Sequence, residues 1–188
     1  MDINGKKAIV FGGTSGIGLS ATQMLSDKGA HVIALSRNPE KVRNVPKNVT
    51  TKKMNVLDRD ALEQFFQEVG EYDILVNSAT GGARAVGPFL SMDLDGYRAS
   101  FDKLWGYTNV VRYGTKHLKD NGNIVLVSGS PARKCRPGQI AISSVGGAVE
   151  AFARGIAPEI APKRINIVSP GIIDTPMSPL QGLSLIHI

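Results

Sequence analysis

Residues 11–18, FGGTSGIG, join an apolar run to an amphipathic segment and decide how this chain folds. The preceding stretch KKAIVFGG (6–13) has the pattern of a buried strand. SGIGLSATQMLSDKG (15–29) carries Ile17, Ala21, Met24 and Leu25 at helical spacing. Glycines in such a turn permit positive φ, and the free amides of the helix N-terminus can face a phosphate. The turn therefore predicts a dinucleotide phosphate site formed by Gly12, Thr14, Ser15, Gly16, Ile17 and Gly18.

Strand-like and helical stretches alternate along the rest of the chain. Further strands are predicted at 30–36, 49–56, 72–79, 122–130 and 164–171, and helices at 58–70, 93–120 and 143–160. In the helix at 58–70, Asp58 is the expected N-cap and an inward face is formed by Leu62, Phe65, Phe66 and Val69. This alternation favours a doubly wound, mostly parallel α/β sheet of Rossmann type, with helices on both faces.

Composition narrows the class of protein. The 188 residues suit a single domain, placed at 1–182, and the formal charge of +6 is spread over short basic groups such as Arg133, Lys134 and Arg136. These are interpreted as solvated surface charge, and an aromatic content of 6% gives no interleaved pattern for nucleic acid. Cys135 is the only cysteine, which favours a reducing compartment. No stretch approaches the roughly 18–20 apolar residues of a membrane span. We predict a cytoplasmic protein that binds neither nucleic acid nor membrane.

Taken together, these motifs resemble the short-chain dehydrogenase/reductase family over about residues 6–177. The family's first motif is T-G-x-x-x-G-x-G, and Phe11 stands here in place of the threonine. The resemblance implies a homo-oligomer with a seventh strand and a substrate-covering segment beyond the end of this chain. We therefore expect a C-terminally truncated sequence. We also expect residues 183–188, LSLIHI, to be a non-native tail, because they match a translated sequencing adapter.

The end of the second strand selects the nucleotide. Ser36 and Arg37 stand there with no acidic residue before Glu40, and a guanidinium suits a 2′-phosphate, so NADP(H) is favoured over NAD(H). By resemblance, Asn55 and Val56 meet the adenine, and Asn77 and Ala79 are what remains of an N-N-A-G motif. The same resemblance places a P-G-x-x-x-T motif at the nicotinamide end, formed by Pro170, Gly171 and Thr175.

The family's usual acid–base residues are missing. Alignment places Ile142 and Gly146 where relatives have the tyrosine and lysine of Y-x-x-x-K, and Lys103 where they have a helical asparagine. The catalytic serine falls on Gly129, between two serines. The candidate proton donors or carbonyl ligands are Lys103, Ser128 and Ser130, with Ser143 and Tyr107 as further choices.

Three interpretations stay open. The first is a divergent reductase that transfers a hydride between NADP(H) and a small carbonyl or alcohol. FDKLWG (101–106) and SGSPARKCRPG (128–138) support it by resembling one divergent branch of the family. The second is a catalytically silent NADP(H)-binding sensor or scaffold, and the third is an inactive truncated product. Metal chemistry is not expected, because His31, His117 and His187 lack ligand spacing.

Overall fold

The computed structural model describes residues 2–42, 45–173 and 175. It contains a sheet of strands β1 to β6, in chain order Lys7–Phe11, His31–Ser36, Val49–Lys53, Tyr72–Asn77, Leu118–Val127 and Arg164–Val168. The helices α1 to α5 are, in chain order, Gly16–Asp27, Arg59–Val69, Leu94–Ala99, Asp102–Gly114 and Ile140–Ile160. The tail expected at 183–188 lies outside the described residues.

The sheet has the order β3-β2-β1-β4-β5-β6, and every neighbouring pair is parallel. The chain first winds outward from β1 to β3 and then returns to add β4 on the other side of β1. The doubly wound fold predicted from the alternating pattern is therefore confirmed. Its topological switch point lies between β1 and β4, where Phe11 pairs with Asn77.

Alternate residues of the central strands build two layers of core. Ile9 and Phe11 of β1 pack with the apolar faces of α2, α4 and α5, whereas Ala8 and Val10 face the layer that includes α1. Both layers exclude water from β1, and this explains why its sequence is an uninterrupted apolar run. Helix α2 follows the sequence prediction, with Asp58 capping the amide of Ala61.

Helix α1 buries only part of the predicted face: Ala21 and Leu25 pack against the core, and short polar residues complete the buried side. Met24 is 61% exposed, while Thr22 and Ser26 are buried. The Thr22 hydroxyl donates to the carbonyl of Gly13, and Ser26 donates to Asn48. Hydrogen bonds from short hydroxyl side chains allow a polar helix face to sit against the turn and its neighbours, which apolar periodicity alone does not reveal.

The single helix predicted over 93–120 is wrong in extent. It is divided into α3 and α4, and β5 begins at Leu118, earlier than expected. At the division, Ser100 turns its hydroxyl back to the carbonyl of Gly96. Helix α4 ends at Gly114, where an added Cβ would lie 2.7 Å from the ring of Phe66. Strand β3 is also shorter than predicted and ends at Lys53.

Among the described residues, α5 is the one helix long and apolar enough to cross a membrane by length and composition, contrary to the sequence expectation. In the fold it packs against β6 and α4 through Ala141, Val145, Val149 and Ala153. A core helix of an α/β domain meets the same criteria, because protein covers its apolar side.

Candidate active site

A cleft of about 980 Å³ runs along the carboxyl ends of the strands. Open α/β sheets bind ligands at this edge, beside the switch point. Of the residues predicted for the site, Asn77, Tyr107 and Ser143 do not line this cleft; those lining it are Gly12, Thr14, Ser15, Gly16, Ile17, Gly18, Ser36, Arg37, Asn55, Val56, Ala79, Lys103, Ser128, Ser130, Pro170, Gly171 and Thr175.

The glycine turn at 12–18 is a tight backbone cradle. Gly12 has φ of +74° and its amide donates to the carbonyl of Leu35, while a Cβ on Gly12 would come within 2.7 Å of Ser78 Oγ. A Cβ on Gly18 would overlap the carbonyl oxygen of Gly12. Ser15 precedes α1 without a side-chain capping bond, so the first-turn amides are left to a ligand or solvent.

The end of β2 forms a basic wall of the cleft. Thr14 and Ser36 join their hydroxyls at 2.7 Å, which ties this wall to the glycine turn. The Arg37 guanidinium reaches across to the carbonyl of Gly81 at 3.4 Å. Lys41, which the sequence argument missed, lines the same wall. No Asp or Glu is among the described residues that line the cleft.

The loops after β3 and β4 complete the nucleotide side. Asn55 accepts the amide of Leu57 through its side-chain oxygen, which shapes the turn after β3. Asn77 is fully buried and accepts the amide of Ala79, whereas its Nδ2 has no hydrogen-bond partner among the described residues. Asn77 therefore shapes the loop behind the cleft wall and does not itself form the wall.

The segment after β6 closes the other side of the turn. Pro170 accepts the amide of Ser130 at 2.8 Å, and Thr175 lies 3.4 Å from the position that a Cβ on Gly16 would occupy.

A buried carboxylate, Glu150 of α5, accepts hydrogen bonds from the Ser169 hydroxyl and from the guanidinium of Arg133. These bonds hold the pKa of Glu150 below its usual range.

The positions of the missing tyrosine and lysine also face the cleft. Ile142 and Gly146 line it, and no tyrosine is found among the described lining residues. Tyr107 belongs to the core instead: it is fully buried, its hydroxyl donates to the carbonyl of Val127, and burial raises its pKa. Ser143 does not line the cleft. These two further candidates for the proton donor are therefore removed.

The two remaining serines differ in what their hydroxyls contact. Ser128 is buried and donates to the carbonyl of Gly146 at 3.1 Å. An added Cβ on Gly146 would sit 3.2 Å from that hydroxyl oxygen, so the helix backbone approaches Ser128 closely because residue 146 is glycine. Ser130 opens a short 3-10 turn and lines the cleft, and its hydroxyl makes no hydrogen bond to another described residue.

Lys103 places an amino group in the cleft. Its Nζ donates to the carbonyl of Ser128 at 3.3 Å and lies 5.5 Å from the ring centre of Tyr107. Burial, and secondly the charge of Arg84, lower the pKa of Lys103 to about 8. An amine with such a pKa exchanges a proton near neutral pH far more readily than an ordinary lysine.

Other cleft residues were missed or misread from the sequence. Arg84 and Gln139 line the cleft, as do Lys134 and Arg136, which had been interpreted as solvated surface charge. Their place in the chain could have identified them as cleft residues, since all four lie in loops that follow the carboxyl ends of β4 and β5.

Comparison with known proteins agrees with this geometry. The family model for short chain dehydrogenases matches residues 6–182. A 2,3-dihydro-2,3-dihydroxybenzoate dehydrogenase of Bacillus subtilis is 31% identical over 191 residues, covering 93% of this chain and 72% of the relative. The L-xylulose reductase of Bos taurus is 31% identical over 183 residues, covering 92% of this chain and 74% of its own length.

Solved structures give the same result. A short chain dehydrogenase of Burkholderia cenocepacia in complex with NADP superposes with a TM-score of 0.87 at 29% identity, covering 95% of this chain and 77% of that one. The sheet order, the glycine turn beside the switch point and the family match over most of the sequence lead to one conclusion. This protein belongs to the short-chain dehydrogenase family of oxidoreductases, which bind a nicotinamide cofactor.

Proposed function

We propose that this protein is an NADP(H)-dependent oxidoreductase that transfers a hydride between the nicotinamide and a small carbonyl or alcohol. The observation that carries the nucleotide choice is the basic wall after β2, where Arg37 and Lys41 line a cleft without a described carboxylate. A guanidinium binds phosphate through a rigid fork of donors, and a carboxylate at this place would repel a 2′-phosphate. The NADP complex of the Burkholderia relative supports the same choice.

The residues present fit a dinucleotide. Added Cβ atoms at Gly12 and Gly18 would meet Ser78 and the Gly12 carbonyl, so these positions accept only glycine without a shift in the backbone. The uncapped start of α1 offers amide donors to a pyrophosphate. Arg37, Lys41 and the joined hydroxyls of Thr14 and Ser36 suit the phosphorylated ribose. Pro170, Gly171 and Thr175 would hold the nicotinamide end.

When bound, the nicotinamide supplies or accepts the hydride, and the protein has to supply the proton. We assign that proton to Lys103, whose ammonium lies in the cleft with a lowered pKa. During reduction, Lys103 Nζ donates its proton to the oxygen of the new alcohol and regains one from solvent. Its positive charge also stabilises negative charge that develops on the carbonyl oxygen before the proton moves.

The serines would orient the carbonyl. Ser130 lines the cleft, and its hydroxyl, which has no hydrogen-bond partner among the described residues, would donate to the substrate oxygen. Ser128 is engaged with Gly146, and its carbonyl holds Lys103, so we assign it a positioning role. In this arrangement the proton donor comes from α4, whereas Ile142 and Gly146 give α5 an apolar and closely packed surface.

The nucleotide assignment is tested by titrating the protein with NADPH and with NADH and following the coenzyme fluorescence. We expect tighter binding of NADPH, and we expect Arg37→Asp to weaken NADPH by about tenfold or more while changing NADH much less. Lys28→Asp is the matched control, because Lys28 is exposed at the far end of α1. Equal losses for the two coenzymes would contradict the assignment.

A second candidate function is a catalytically silent NADP(H)-binding sensor or scaffold. The observation that favours it is the lack of a tyrosine among the described residues lining the cleft. Membership in an oxidoreductase family favours the enzyme. Oxidation of NADPH across a panel of aldehydes and ketones separates the two functions. Binding of NADPH with no turnover of any compound would support the sensor.

A further inference from the structure

The end of the cleft around Lys103 and Ser130, the reaction end, is strongly cationic. It carries more positive charge than binding of the nucleotide requires. Beyond Arg37 and Lys41 on the nucleotide side, the lining includes Arg84, Lys134 and Arg136. None of these three forms an ion pair with another described residue. Unpaired like charges that share one cleft repel each other, and a bound anion relieves this cost.

Arg84 is held at this end by its loop. The amide of Ala85 donates to the buried Ser100 hydroxyl at 2.9 Å. On the other side of Arg84, an added Cβ at Gly82 would come within 2.7 Å of Asp102, the residue before Lys103. The loop is therefore fixed against the start of α4, on the Lys103 side of the switch point.

Lys134 and Arg136 are carried by the loop between β5 and α5. The amide of Lys134 donates to the carbonyl of Ser130, and the neighbouring Arg133 is bound to Glu150. A backbone hydrogen bond from Gly87 to Gly138 joins this loop to the one that carries Arg84. The two loops thus meet, and their cations border the same end of the cleft.

A polar atom nearby also lacks its partner. Gln139 lines the cleft, and its buried Oε1 accepts no hydrogen bond from a described residue. Buried polar atoms in folded proteins nearly always have a partner. A donor on a bound molecule, or an ordered water, would satisfy this oxygen, which marks the same end of the cleft as polar.

We propose that the substrate carries an anionic group, a carboxylate or a phosphate ester, which Arg84 binds together with Lys134 and Arg136. This inference rests on the proposed function, because it names the substrate class of the same site. The anion would anchor the end of the molecule remote from its carbonyl, which then reaches Lys103 and Ser130. Guanidinium groups provide the paired donors that both anions accept.

The kinetic test compares 4-formylbenzoate with 4-formylbenzamide, a neutral aldehyde of nearly the same shape, using NADPH. We expect kcat/KM to favour the carboxylate by about tenfold or more, as one charge-assisted hydrogen bond implies. Arg84→Gln and Arg136→Gln should each reduce that ratio severalfold, and Lys28→Gln should leave it unchanged. A third aldehyde, 4-formylphenyl phosphate, decides between the two anions.

Equal efficiency for the amide and both charged aldehydes would overturn the proposal. An equal loss of NADPH affinity in Arg84→Gln would also overturn it, because the arginine would then serve the nucleotide. The NADPH Kd of each variant is therefore measured beside its kinetics.

Protection of a cysteine from alkylation measures anion binding without catalysis. Its result therefore does not depend on whether the proposed reaction takes place. Cys135 is the only cysteine, and it lies in the cleft between Lys134 and Arg136. We expect 4-formylbenzoate, but not the amide, to slow its alkylation by N-ethylmaleimide, and Arg84→Gln to weaken that protection. Protection without NADPH oxidation would support the anion site while refuting the proposed chemistry. No protection and no kinetic preference would refute the anion site.

Discussion

The two ends of the cleft hold their ligands by different means. At the nucleotide end, the decisive groups are backbone amides and glycines between β1 and α1, fixed by close contacts such as that of Gly12 with Ser78. At the reaction end, the proposed groups are side chains, and Ile142 and Gly146, which the sequence aligns with the family's tyrosine and lysine, line the cleft there. In the proposed mechanism the proton donor is Lys103, which belongs to α4.

This difference shows which part of such a site is free to change. A backbone cradle depends on the whole β1–turn–α1 geometry, so a substitution within it affects packing as well as binding. A proton donor requires only an ionisable group at the right place with a suitable pKa. In the proposed mechanism, the acid has accordingly moved from α5 to α4 while the nucleotide end stays the same.

The largest expected effect comes from removing the amino group at the reaction end. Lys103→Gln should lower kcat for NADPH-dependent reduction by about 10²–10⁴-fold, the usual contribution of a general acid. Because the ammonium form donates the proton, wild-type kcat/KM for reduction should fall as pH rises through about 8, the lowered pKa of Lys103. Stopped assays across pH 6 to 10 check both points.

The control for Lys103→Gln is its NADPH affinity, which should stay within about twofold of wild type since the residue lies at the other end of the cleft. A variant that keeps wild-type turnover and the same pH profile would show that another group supplies the proton. The proton would then have to come from Ser130 or from solvent.

A smaller effect is expected at the nucleotide end. The Cβ of Gly18→Ala would overlap the Gly12 carbonyl. The turn has to open, so NADPH affinity should fall about tenfold or more and the free energy of unfolding by about 1–3 kcal/mol. Gly155→Ala is the control, because an added Cβ there has no neighbour within 4 Å. Fluorescence titration and urea unfolding measure the two quantities, and unchanged affinity would argue against a cradle of this shape.

The smallest effect concerns two adjacent glycines of α5. A Cβ on Gly146 would lie 3.0 Å from Ala132 Cβ, whereas one on Gly147 meets nothing within 4 Å. Gly146→Ala should lower the free energy of unfolding by about 1–2 kcal/mol through overpacking. Gly147→Ala should raise it by about 0.5–1 kcal/mol through helix propensity. If the two variants had the same free energy of unfolding, Gly146 would not be closely packed. Position 146 would then have room for the lysine that the family alignment places at it.

The sequence predicted the fold well because the fold depends on local patterns, and patterns of the same kind support the proposed nucleotide end. Strand periodicity and the spacing of Gly12, Gly16 and Gly18 are visible in the chain itself. The polar part of the buried face of α1 is not visible in the sequence, because Thr22 is buried through a hydrogen bond to Gly13 that no apolar pattern encodes. The division of the helix at Ser100 likewise depends on a side chain that bonds to its own backbone.

At the reaction end, the sequence supplied candidates without a means of choosing among them. Tyr107 and Lys103 lie one helical turn apart on α4, yet the first is enclosed in the core and the second opens into the cleft. Arg84 and Arg136 are far apart in the chain, yet both line the cleft, and the loops that carry them are joined by the bond from Gly87 to Gly138. Such tertiary placement determines both pKa and access.

One buried carboxylate, that of Glu150, joins the segment after β6 to the loop between β5 and α5. Glu150 holds Ser169, just before Pro170 and Gly171, with one oxygen and Arg133, beside Lys134, with the other. The segment after β6 and the loop between β5 and α5 are thus tied to each other through one side chain. Because its pKa is lowered, Glu150 stays ionised and keeps this linkage at acidic pH values where an ordinary glutamate would already be protonated, and it loses the linkage as pH falls through the lowered pKa.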